Sequence, residues 1–89
     1  MIVTMKLYTC VARERMSCSS PTQIEANSPS EAAYKLARQM GYQVKQTIQG
    51  RTYSYISETC EFDGAVPLCI AVTPYDGKVK KTRYYAVRM

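Results

Sequence analysis

Residues 22–37, TQIEANSPSEAAYKLA, decide how this chain folds. TQIEA alternates polar and apolar residues, which is the period-two pattern of a strand with one buried side. Two residues later, at Ser28, the pattern changes to that of a helix, and the change is sharply marked. Ser28 suits an N-cap, because its hydroxyl can accept a bond from an amide that the helix leaves unpaired. Pro29 fits the first helical position, where a missing N–H costs nothing. Glu31 lies three residues after Ser28, where it would complete a capping box and place a carboxylate at the positive end of the helix dipole. Ala33, Leu36, Ala37 and Met40 then recur at helical spacing and predict one inward stripe. Lys35, Arg38 and Gln39 fall on the outward side. Gly41 is placed to end the helix in a left-handed conformation.

Working outward, residues 3–15 alternate, with Val3, Met5, Leu7 and Val11 on one side and Lys6, Tyr8, Cys10 and Ala12 on the other. This predicts a strand with one buried face, joined through a small-polar linker, 16–21, to an antiparallel partner at 22–26. After Gly41 the period returns to two through Tyr42, Val44 and Ile48, and Gly50 breaks the run. Residues 51–62 are β-rich, Asp63-Gly64 suggests a hairpin turn, and 65–72 form a further strand. Pro67 has no amide to donate, which suggests an edge or a bulge near it. Asp76-Gly77 suggests a second hairpin before the last strand, 79–89. The order is β-β-α-β-β-β-β in a single domain, 1–89. The expected fold is α+β, an antiparallel sheet of about five to six strands with one helix packed on one face. The opposite face is expected to be solvated and lined by tyrosines and basic residues.

The chain has 89 residues. A domain of that size buries about 60–65% of its unfolded surface, enough for one core. The first ten residues, MIVTMKLYTC, alternate and include a lysine, unlike a secretion signal or a membrane span. A cytoplasmic protein with no membrane contact is expected. Cys10, Cys18, Cys60 and Cys69 are spaced C-x7-C and C-x8-C, which differs from the short C-x2–4-C spacing of zinc sites. Free thiols serving as small apolar fillers are the main expectation. Two disulfides in one of three pairings, or a zinc ion, are the readings set against it.

The chain contains no histidine, so histidine-based triads are excluded. Both aspartates precede glycines, where turn formation is their ordinary role. Glu58 and Glu61 fall on opposite faces of a strand, no base accompanies a cysteine, and the glycines form no phosphate loop. Catalysis, a metal and a cofactor are therefore not expected.

What remains is a surface. Net charge is +5, and eight tyrosines stand against one phenylalanine and no tryptophan. Tyrosine joins a large apolar ring to a polar tip and is enriched at interfaces. Tyr53, Tyr55, Tyr84 and Tyr85 fall in strands, either as half-buried packing residues or as contact anchors. Lys78, Lys80, Lys81 and Arg83 cluster in the sequence. They read equally as protection of a sheet edge or as a contact to phosphate or an acidic protein surface.

The basic N-terminal strand, TQIEANSPSEAAYKLA and the later Asp76-Gly77-Lys78 together resemble small phage-encoded anti-CRISPR proteins acting on type I-F surveillance complexes. The resemblance covers residues 1–40 and 76–78. The longer C-terminal half departs from that pattern. The resemblance implies a non-enzymatic inhibitor in the host bacterial cytoplasm. It would bind a CRISPR effector ribonucleoprotein at its backbone subunits or guide-RNA phosphates and obstruct target DNA recognition. The partner-binding set expected on this basis is Arg13, Arg15, Arg51, Tyr53, Lys78, Lys80, Lys81 and Arg83. The alternatives are a small basic nucleic-acid-binding module and an accessory protein that binds another host protein.

Overall fold

The Ser28–Pro29 joint forms as its residues dictate. A computed structural model describes residues 5–14, 17–44, 55–62, 64–75 and 82–88 of the chain. Ser28 is extended, with φ −151° and ψ 161°, and its hydroxyl accepts the Glu31 amide at 3.2 Å. Pro29 opens helix α1 (Pro29–Gln39). The Glu31 carboxylate does not close the expected capping box; it sits 3.4 Å from Lys35 Nζ, one turn further on. At the other end Gly41 takes φ +95°. The Gly41 amide donates to the Arg38 carbonyl and the Tyr42 amide to the Ala37 carbonyl, each at 3.1 Å. This pair of bonds is the Schellman arrangement, and it closes the last turn.

Among the described residues six strands form one sheet: β1 (Lys6–Glu14), β2 (Ser17–Cys18), β3 (Thr22–Ala26), β4 (Tyr55–Thr59), β5 (Leu68–Pro74) and β6 (Arg83–Arg88). The order across the sheet is β2-β1-β5-β6-β4, with β3 also paired to β1, and every pairing is antiparallel. β2 and β3 share the edge of β1 that β5 leaves open. Between them Ser19 fills the gap in the ladder. Its amide donates to the Ala12 carbonyl at 2.7 Å, and its hydroxyl accepts the Ala12 amide at 3.0 Å. The linker expected at 16–21 is thus partly built into the sheet.

The largest departure from the sequence reading lies after β4. Asp63 lies outside the described residues, but the strands on either side do not form the expected hairpin: β4 and β5 are not neighbours, and β6 lies between them. Both strands run antiparallel to β6 and so parallel to each other. The connection 60–67 must therefore return along the sheet before β5 can start. It does so on the face opposite the helix, where Phe62 and Val66 pack against Cys69 and Ala86. Pro67 precedes the first residue of β5, a central strand, so its missing donor falls outside the ladder and no edge or bulge is needed.

The core lies between α1 and the sheet. Tyr8, Cys10 and Ala12 of β1 point into it with Ile24 and Ala26 of β3, Leu68, Ile70 and Val72 of β5, and Tyr85 and Val87 of β6. The helix supplies Ala32, Ala33, Leu36 and Ala37, and Met40 packs at the margin. The three alanines are fully excluded from solvent, so the helix backbone lies close to the strands. No helix among the described residues is long and apolar enough to cross a membrane.

All four cysteines are free thiols. Cys10 and Cys69 are buried and serve as fillers, whereas Cys18 and Cys60 are exposed. Burial pushes the Cys10 thiol from its ordinary 9.0 up to about 11. An aromatic disulfide reagent at pH 8 should titrate Cys18 and Cys60 rapidly in the native protein, and all four thiols after denaturation. Four rapid equivalents from the native protein would contradict this core. A folded pKa above the unfolded value means that the unfolded chain gives up its proton first. Stability from this group is therefore complete below pH 9 and is lost as pH rises from 9 toward 11.

Candidate interaction surface

Two of the eight expected contact residues, Arg13 and Arg83, fall among the described residues; Arg15, Arg51, Tyr53, Lys78, Lys80 and Lys81 lie outside them. The strand registers place the two arginines on opposite faces of the sheet. Arg13 pairs with Cys69, on the face away from the helix, while Arg83 pairs with Val72, whose side chain belongs to the helix-side core. The two therefore belong to two surfaces rather than one.

On the face away from the helix, the Arg13 guanidinium lies over the Phe62 ring, 5.8 Å from its centre. Phe62 in turn meets Tyr84 edge-on, with ring centres 5.1 Å apart and an interplanar angle of 66°. Such stacking favours a fixed orientation for both the arginine and the ring. Further along, Arg88 Nε donates to Ser57 Oγ at 2.8 Å. Tyrosine and arginine do line this face, as expected, but it is not simply solvated. Phe62 and Val66 cover one region, and Cys69 and Ala86 beneath them are buried.

The second surface is a groove of about 570 Å³ lined by Lys6, Tyr8, Pro29, Pro74, Tyr75 and Arg83, together with Leu7. Four elements build it: the start of β1, the start of α1, the end of β5 and the start of β6. Its rim is fixed by backbone at one point: the Tyr75 amide donates to the Leu7 carbonyl at 2.9 Å and continues the β1–β5 pairing. Tyr75 is nevertheless 63% exposed. Lys6 and Arg83 are both exposed. Arg83 reaches Glu58 at 3.4 Å with both side chains about half open to solvent, so the pair is loosely held. Burial raises the pKa of the neighbouring Tyr85 hydroxyl; Glu58 adds to the rise and Arg83 opposes it.

Lys6, Tyr8 and Tyr75 were not part of the expected set. The available signal was Tyr75 immediately before Asp76-Gly77, an aromatic at the mouth of a turn in a lysine-rich stretch. No protein-family model, curated protein or solved structure matches this chain.

Proposed function

We propose that this chain is a non-enzymatic inhibitor, of phage or mobile-element origin, that binds a CRISPR-RNA-guided surveillance complex and obstructs target DNA recognition. The segment 22–37 carries the reading. It bears the resemblance, and it forms a strand running directly into a capped helix laid on an antiparallel sheet. The charge agrees in sign. A chain of net charge +5 suits contact with guide-RNA phosphates or acidic patches of the backbone subunits, whereas imitation of DNA would need an acidic surface. The groove with its two cations and exposed ring also favours a second reading, a module that binds nucleic acid directly.

Capture of a purified, guide-loaded type I-F complex on the immobilised chain tests the proposal, followed by competition with target duplex in a gel-shift assay. Stoichiometric capture and loss of target binding are expected. Failure to capture the complex at micromolar concentration would refute it. Reversing charge with Lys80→Glu plus Lys81→Glu should weaken capture while shifting stability by no more than about 0.5 kcal/mol, as for most surface substitutions. Unchanged capture would leave those lysines with edge protection alone.

A further inference from the structure

We infer that the groove between β1, α1 and the β5–β6 end is a binding site for single-stranded nucleic acid. In it, Lys6 and Arg83 hold backbone phosphates and the Tyr75 ring stacks on a base. The inference deepens the inhibitor reading by naming a strand as the ligand. It rests on that reading only for which strand is meant, the guide RNA or a displaced DNA.

The argument starts from Tyr75. A tyrosine in a folded domain usually finds apolar cover, yet Tyr75 as a residue is 63% exposed while its amide is fixed to the Leu7 carbonyl at 2.9 Å. The ring stands on a fixed base beside a concavity, an arrangement suited to stacking a planar group. Among the described residues that line the groove there are two cations and no carboxylate, the nearest being Glu58, which meets Arg83 from outside the lining. Its walls are otherwise ring and proline surface from Tyr8, Pro29 and Pro74. A ligand that complements this lining carries repeated negative charge and a flat apolar face in each unit. A phosphodiester strand has one charge and one base per nucleotide, while an acidic peptide has the charge without the flat face. A duplex keeps its bases stacked inside and offers none to Tyr75, so the strand must be single.

Glu58 adjusts the site. Its carboxylate lies 3.4 Å from Arg83 and competes with any phosphate for that guanidinium. Removing its charge should therefore strengthen binding, a gain that misfolding cannot mimic.

The test measures fluorescence anisotropy of labelled twelve-nucleotide oligo(U) and oligo(dT), the matching duplex, and poly-glutamate as competitor. Both single strands should bind, and the duplex at least about tenfold more weakly, given the loss of base stacking. Two neutralised phosphates, each contributing a slope of about 0.7, predict at least about sevenfold weaker binding between 50 and 200 mM salt. Tyr75→Ala should weaken binding about fivefold or more. Glu58→Gln should tighten it about two- to fivefold. Three results would each overturn the inference: no single-strand binding by the wild-type chain, equal affinity of wild type and Tyr75→Ala, or displacement of the strand by poly-glutamate as readily as by unlabelled strand. The two proposals separate cleanly. A chain that captures the surveillance complex but ignores the oligonucleotides loses the groove inference and keeps the inhibitor reading. One that binds the strands but not the complex does the reverse.

Discussion

Leu36→Ala should lower the free energy of unfolding by about 2–5 kcal/mol, read as a shift in the urea midpoint with the slope unchanged. Leu36 is the one large residue that α1 sends fully into the core; its inward neighbours Ala32, Ala33 and Ala37 are small. Alanine at 36 would leave the helix attached to the sheet by alanines, with Met40 only at the margin. A domain of this size holds roughly 4–13 kcal/mol in reserve, so the variant could come close to unfolding. Gln39→Ala, on the exposed side of the same helix, should change stability by about 0.5 kcal/mol or less. Equal small shifts from both variants would mean that α1 does not lie on the sheet as described.

Ile70→Ala should be similarly costly, at about 2–5 kcal/mol. Ile70 is wholly buried in the middle of β5, with Ala12 beside it on β1 and Tyr85 beside it on β6. Ala12 is too short to move into a cavity there, and Tyr85 belongs to a central strand paired on both sides. Because Ile70 and Leu36 belong to one cluster, the double variant should depart from the sum of the two single effects. Strict additivity would indicate two independent cores. Thermal melts followed by circular dichroism, in parallel with urea titrations, would settle the point.

The helix was legible in the sequence almost residue by residue, because its signals are local. Ser28, Pro29 and Gly41 each act through backbone geometry within a few positions, and all three do what their chemistry implies. Glu31 differed because Lys35, one turn away on the same side, offers its carboxylate an opposite charge. Strand neighbours were less legible. Asp63-Gly64 is a good turn in isolation, but turn chemistry does not record which strand will later occupy the adjacent position. The contact surface was the least legible. Period two assigns Arg13 and Arg83 to faces within their own strands, but whether those faces coincide depends on registers set across three strands. The groove draws on residues as far apart as Lys6 and Arg83, so no short window of sequence contains it.

The position of β6 bears on the order of assembly. It follows β4 and β5 in the chain and takes the place between them. While the chain folds, α1 and β5 can settle on β1 before β6 docks, and β4 then lacks the hydrogen-bonding partner described for it. Until it arrives, Tyr55–Thr59 presents unsatisfied amides and carbonyls to other chains, which makes that interval the one in which crowding at high expression would favour aggregates over monomers.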